Sequence, residues 1–365
     1  MKTFSKVILL SAVTSLVSGV AMAEQPYWTA DKLKNAKSLP QPQTNFYPSG
    51  QQLMDIPMTA PGENISAPGR GPSNNVTPDY SNKLFEPDKT ATPTLSPNSA
   101  LDVTPQSVGS YKAYFSSSRV TPASVSTTWP YRMTGKLFFS NGTSNYVCSA
   151  SVIRARLVVT AGHCVYDATK KQWYKNFLFV PAYYNGTAPL KSWTASYLWT
   201  TSKWQNGGGS VPNGGDFGIL EINDQVINNV VTKIGNVTGY YGYHTNALWP
   251  NHVTMLGYPV AFDQGAWMHR VDSQSYQQYS YNTVIYGADM TGGSSGGPWI
   301  ENFGQASTGQ TMAPNGTNYV VAVTSYGPVD TSVRVLGAST LDSQFTNSSK
   351  TGILDKACAH KAGNC

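Results

Sequence analysis

A histidine, a serine and an aspartate stand in three short stretches whose neighbours suit them to proton transfer and nucleophilic attack. His163 lies in Thr160-Ala161-Gly162-His163-Cys164, directly after the apolar run Leu157 to Val159. A strand end holds an imidazole on a rigid rim, where a general base belongs. Ser295 lies in Thr291-Gly292-Gly293-Ser294-Ser295-Gly296-Gly297-Pro298. Glycines on both sides permit positive φ and close approach, so the N–H groups of Gly293 and Ser295 can converge on a carbonyl oxygen as it turns negative. Asp216 heads an apolar strand in Gly214-Gly215-Asp216-Phe217-Gly218-Ile219-Leu220. A partly buried carboxylate is costly there unless it accepts a hydrogen bond, and His163 Nδ1–H is the candidate donor. That bond would set the tautomer and leave Nε2 facing Ser295. Singly, a loop histidine, a Gly/Ser turn and a turn aspartate are ordinary features; together they spell nucleophilic acyl transfer.

The elements that must position these groups read as strands. Eight of nine tryptophans lie beyond Val120, among short runs rich in Val, Ile, Tyr and Phe that end in turn residues: Lys136 to Phe139, Leu157 to Thr160, Phe177 to Val180, Phe217 to Ile222, Val253 to Leu256 and Tyr319 to Thr324. This is an all-β signature. A helical pattern comes only at Ser348 to Lys356, with Ser348 or Ser349 as the expected cap. Residues 120–365 are long enough for two small barrels. Between Glu24 and Ser110 fall 13 of the 23 prolines, without a sustained period of 2 or 3.6, so residues 24–119 are expected to be a largely irregular pro-segment, a linker or anchoring arm being the alternative. Residues 1–23 read as an export signal: Lys2 and Lys6 precede an apolar stretch, and Ala21-Met22-Ala23 fits a small-x-small cleavage site.

Export brings the four cysteines into an oxidising compartment and suggests two disulfides, for which three pairings are possible. Cys148 with Cys164 would brace the His163 rim, and Cys358 with Cys365 would staple the C-terminus. A structural zinc needs more than Cys358-Ala359-His360 offers, so no metal is expected, and no organic cofactor is implied. The net charge of +6 is dispersed through a chain only 12% charged, which argues against nucleic acid as a partner. Beyond the signal no segment approaches about 20 apolar residues, so no stable membrane anchor is expected. A monomer acting on protein or peptide substrates fits these limits. His244, His252 and His360 have no partnering motif and are expected on loops.

The stretches AGHC, DFGIL and GGSSGGP, in the order His, Asp, Ser, resemble the trypsin-like serine peptidases. Leu256-Gly257-Tyr258-Pro259 together with MTGGSSGGPW is closer to the bacterial secreted branch that includes glutamyl endopeptidases. The resemblance spans roughly Val120 to Leu354. It implies two six-stranded antiparallel β-barrels with the triad at their junction, Ser295 as nucleophile, and Gly293 and Ser295 as the oxyanion hole. It also places Asp289, six residues before Ser295, at the floor of the P1 pocket, where its charge favours Arg or Lys. Ser325-Tyr326-Gly327 resembles the wall along which a substrate backbone pairs. A glutamyl preference is disfavoured because Ala322 to Pro328 holds no histidine, although His269 could reach in from elsewhere. Ser294 replaces the aspartate that receives the new N-terminal amine in trypsin. Ser118-Arg119-Val120-Thr121 resembles a processing site that would free Val120. The competing expectations are a non-catalytic homologue that binds proteins and, more weakly, a secreted esterase.

Overall fold

The computed structural model describes residues 27–46, 62–74, 76–86, 109–280, 282–306 and 316–365; the expected export signal lies outside them. Six strands, β1 (Thr134–Ser140), β2 (Asn145–Val152), β3 (Leu157–Thr160), β4 (Lys175–Pro181), β5 (Trp193–Thr200) and β6 (Gly218–Ile222), pair antiparallel in the closed order β1-β2-β3-β6-β5-β4. A second set, β7 (His252–Gly257), β8 (His269–Ser280), β9 (Thr283–Gly287), β10 (Pro298–Glu301), β11 (Tyr319–Pro328) and β12 (Val335–Thr340), closes antiparallel in the equivalent order β7-β8-β9-β12-β11-β10. The expected pair of six-stranded antiparallel barrels is therefore present.

Strand periodicity explains how the barrels meet. Leu137 and Phe139 point into the first barrel, while Phe138, between them, joins a different cluster. Likewise Val158 faces the first barrel and Val159 does not. Alternate side chains stand on opposite faces of a strand, so one face fills a barrel and the other meets its neighbour. The shared cluster unites Phe138, Val159 and Ile219 of the first barrel with Leu256, Ile300 and Val320 of the second. Met255, Tyr286, Trp299 and Leu336 fill the second barrel.

The terminal helix α1 is Ile353–His360, later than expected from Ser348 to Lys356. Ser348 does not cap it: its N–H and hydroxyl both donate to Glu63, at 2.6 Å. Asp355, within the first turn, instead accepts from the N–H of Gly352 and Asn347, each at 3.2 Å. Cys358, in the last turn of α1, is bonded to Cys365 beyond the helix.

The histidines expected on loops are placed otherwise. His244 is buried in the short strand Gly242–His244, with Nδ1 2.7 Å from Glu301; His252 begins β7; His360 ends α1, 2.8 Å from Glu221. The partners of His244 and His360 lie more than 50 residues away in the chain, which local motifs do not reveal.

The described residues before Val120 are irregular apart from short pieces, yet they lie on both barrels. Phe115–Arg119 pairs antiparallel with β8, Lys37–Ser38 pairs parallel with β2, and Gln43–Thr44 pairs parallel with β11.

Candidate active site

β3 ends at Thr160 and the chain turns at once through the short 3-10 segment Gly162–Cys164, leaving His163 buried at the barrel junction. Cys164 is bonded to Cys148 of β2 across a sequence separation of 16, fixing this turn to the barrel wall. A closed loop of that length contributes on the order of 3 kcal/mol. Asp216 immediately precedes Phe217 and β6, with no solvent exposure. Its Oδ1 accepts the main-chain N–H of His163 at 2.7 Å, and its Oδ2 lies 2.8 Å from His163 Nδ1. Oδ2 also accepts the Ser325 hydroxyl at 2.5 Å. Three donors satisfy a buried carboxylate that would otherwise be unaffordable. The sequence places Ser325 only in the expected substrate wall; its bond to Asp216, which no local signal marks, joins the second barrel to the Asp216–His163 pair of the first.

The serine turn is held from both barrels. Gly296 N–H donates to Thr324 O at 2.8 Å, and Thr324 N–H to Gly297 O at 3.0 Å. From β2, Ser149 N–H donates to Ser295 O at 2.8 Å and Ser149 Oγ–H to Gly293 O at 2.9 Å. Ser149, unmarked in the sequence except as the neighbour of Cys148, thus fixes the carbonyls of Gly293 and Ser295. With the carbonyls turned toward Ser149, the N–H groups of Gly293 and Ser295 find no acceptor among the described residues. Gly293 has φ +96°, and a Cβ there would stand 2.6 Å from Tyr258 O, so glycine is required twice over. Ser294 donates its hydroxyl to Thr291 O at 2.7 Å, tightening the turn.

Two buried atoms at this junction have no hydrogen-bond partner: His163 Nε2 and Ser295 Oγ. Below the turn a cavity of about 500 Å³ is lined by Asp289, Met290, Gly292, Phe262 and Arg334. Burial pushes the Asp289 carboxyl above its ordinary range, partly opposed by a hydrogen bond from Ser117, and its Oδ1 is a buried acceptor without a partner. His269 stands beside this cavity, its ring stacked 4.9 Å from Phe262 and its Nε2 3.1 Å from Asp263. Burial holds its pKa below the ordinary value, with Asp263 acting in the opposite sense. Gly327 lies on the last residues of β11, at the cleft edge.

A family model described as Trypsin matches residues 123–346. The chain belongs to the trypsin family. Among curated relatives of this trypsin-family chain, the glutamyl endopeptidase of Bacillus licheniformis is 30% identical over 196 residues, covering 53% of this chain and 56% of that protein. A Bacillus subtilis protein named extracellular metalloprotease is 28% identical over 204 residues, covering 54% of this chain and 60% of that protein. The chain thus spans little more than half the length of these relatives. Among solved structures, protease Anisep from Arthrobacter nicotinovorans is 30% identical, with a TM-score of 0.48 over 59% of this chain and 92% of that one. The thermostable serine protease AL20 is 27% identical, with a TM-score of 0.49 over 61% and 94%.

Proposed function

We propose that this trypsin-family chain is an exported serine endopeptidase, with Ser295 as nucleophile, His163 as general base and Asp216 as the group that orients and stabilises the imidazole. Ser295 Oγ attacks the scissile carbonyl carbon as His163 Nε2 takes its proton. The N–H groups of Gly293 and Ser295 receive the oxyanion, His163 returns the proton to the leaving amine, and water repeats the sequence to release the acyl group. One observation carries this reading. Asp216 engages Nδ1 and the backbone of His163 from a fully buried position, while Nε2 and Ser295 Oγ are left unpaired at the same junction. Other buried atoms among the described residues are also unpaired, but only these two lie beside the bonded Asp216–His163 pair, where a nucleophile and its base need open valences.

The unpaired Asp289 oxygen in the cavity supports cleavage after Arg or Lys, since a cationic side chain supplies the missing donors. A glutamyl preference is the second reading, favoured by Arg334 on the same cavity, His269 beside it, and the name of the licheniformis relative. The other relative's name raises metal catalysis, for which the donor set does not fit. The one group of three possible ligands among the described residues is Cys148, His163 and Cys164, and both sulfurs are tied in a disulfide. Two disulfides and the signal-like first 23 residues support export, and no helix among the described residues is long and apolar enough to cross a membrane. Residues ahead of Phe115–Arg119, the strand paired with β8, act as a pro-segment in this reading.

A fluorophosphonate that labels the protein but not its Ser295→Ala variant tests the nucleophile. Labelling that survives the substitution, or none in any processed form, overturns the reading and favours a non-catalytic binding protein. Profiling cleavage of a peptide library by the processed protein decides between basic and acidic P1 residues.

A further inference from the structure

The leader does more than precede the barrels. We infer that residues 38–44 are a strap seated in the substrate cleft in a form the site cannot cleave, so that the intact chain is inhibited by its own backbone. This rests on the catalytic reading above and identifies what occupies that site.

The path of the strap is continuous across the junction. On the first barrel, Ser38 is the register partner of Val147, and Leu39 N–H donates to Val147 O at 3.2 Å. On the second, Gln43 is the register partner of Gly327, Gly327 N–H donates to Pro42 O at 3.0 Å, and Val329 N–H donates to Thr44 O at 3.1 Å. Between these ends, Leu39, Pro40 and Pro42 line a cavity with His163 and Trp204, while Leu39, Pro40 and Gln41 line the cavity that holds Asp289 and Gly292. A Cβ built on Gly292 would lie 3.3 Å from Ser38 Oγ and 3.7 Å from Leu39 O. The strap therefore crosses the place a substrate must take.

It is anchored as a designed contact is, not as a loose loop. Leu39 is 7% exposed and packs into the first barrel's cluster, and Phe46 stacks on buried Tyr326 at 5.7 Å. Upstream, Trp28 Nε1–H donates to Asn176 O at 2.7 Å. Pro40 and Pro42 fix φ, which lowers the entropy lost in holding the strap extended.

Occupancy is not productive. The strap is parallel to both rims, and no carbonyl of it reaches the N–H groups of Gly293 and Ser295, which lack acceptors although the strap passes beside Gly292. A peptide bond whose oxygen misses that pair of donors is not polarised for attack. The strap fills the cleft without presenting a carbonyl to the donor pair, and so escapes the chemistry.

Two measurements on the full-length chain test this. Seating is read without reference to catalysis, by alkylation of a Leu39→Cys variant. The native chain is expected to react about 100-fold or more slowly than the same chain in denaturant, as buried thiols do, and equal rates overturn the proposal. Inhibition is read by the rate of fluorophosphonate labelling at Ser295. A Leu39→Asp/Phe46→Ala chain is expected to label about 10-fold or more faster than the unaltered chain, because its cleft is open for a larger fraction of the time. A synthetic peptide of residues 35–46 is expected to slow it again. Equal labelling rates in the two chains, with Leu39→Cys protected, overturn the inhibition while leaving the triad standing. Absence of labelling in every form, processed chain included, sinks the triad reading and the inhibition with it.

Discussion

Replacing Asp216 by Asn tests the catalytic reading where the structure leaves least room. Oδ1 accepts the His163 main-chain N–H at 2.7 Å, while Oδ2 faces Nδ1 at 2.8 Å and the Ser325 hydroxyl at 2.5 Å. An amide offers an acceptor at one end and a donor at the other, so it serves only one side. With its oxygen in the Oδ2 position, the NH2 group meets the main-chain N–H of His163, leaving buried donors unsatisfied at about 1–3 kcal/mol. With its oxygen in the Oδ1 position, the NH2 group donates to Nδ1, and the ring proton moves to Nε2. The second arrangement keeps more bonds, because Nδ1 and the rotatable Ser325 hydroxyl can both turn acceptor. The variant is therefore expected to fold, with an unfolding midpoint lowered by only a few degrees, and to lose its base. Turnover should fall by about 10³–10⁴, or roughly 4–5.4 kcal/mol at 1.36 kcal/mol per decade. Steady-state cleavage of a preferred peptide by the processed protein, read beside thermal unfolding, measures both. Turnover within about tenfold of the unaltered protein, at an unchanged midpoint, would refute the assigned role of Asp216.

Ser325→Ala removes one donor from the Asp216 carboxylate without touching the tautomer, and a bond to a charged group is worth about 1.5–3 kcal/mol; kcat is expected to fall about 10- to 100-fold with KM little changed. Gly293→Ala places a Cβ 2.6 Å from Tyr258 O at a residue with φ +96°, so the donor pair is displaced and kcat should drop by about 10²–10³ while Ser295 is still present to be labelled slowly. Lys136, buried with its Nζ donating to Gly265 O at 2.7 Å, has its pKa pushed down by burial to about 7. Its charged form is the disfavoured one, so Lys136→Met should stabilise the fold on the order of 1–3 kcal/mol below pH about 7. That gain should fade as pH rises above 7, which thermal unfolding across pH 5–9 will show. N-terminal sequencing of the processed chain is expected to give a start before Phe115, and a start at Val120 would refute retention of the Phe115–Arg119 strand.

The strands that carry chemistry were legible because each is a compact apolar run: Leu157 to Thr160 is β3 as expected, and Lys136 to Phe139 and Val253 to Leu256 lie inside β1 and β7. β5 was not legible. Only its first and last residues are buried, and its polar and aromatic residues give no clean alternation. β8, with Gln274, Gln277 and Gln278, hides for the same reason: its pairing with β7 and β9 outweighs weak local preference. Within the site, glycine-flanked Ser295 and the strand-end positions of His163 and Asp216 could be read from neighbours in the chain. Ser149 and Ser325 could not, because each acts on a residue over 100 positions away. The parallel seating of residues 38–44 was equally invisible, since Ser-Leu-Pro-Gln-Pro-Gln-Thr has the composition of a linker and its meaning lies in what it covers.

The junction at Arg119 and Val120 shows how the leader and the pocket depend on each other. Phe115–Arg119 pairs residue by residue with β8 from Ser273 to His269, and Val120 is buried, with its N–H donating to Met268 O at 2.8 Å. Arg119 also forms a two-pronged ion pair with Asp263, the residue that holds His269 beside the cavity. Proteases cut exposed, unpaired backbone. A cut after Arg119 would first have to strip this ladder from the second barrel. Losing the strand would also take Ser117 from Asp289 and leave Asp263 with His269 alone, raising the cost of the buried pocket charges. Tyr114, one residue earlier, is 67% exposed and precedes the ladder, held there among the described residues only by the Ser273 hydroxyl donating to its carbonyl at 3.2 Å. A mature protein that keeps Phe115–Arg119 therefore preserves the packing around the Asp289 cavity, whereas one beginning at Val120 must rebuild it.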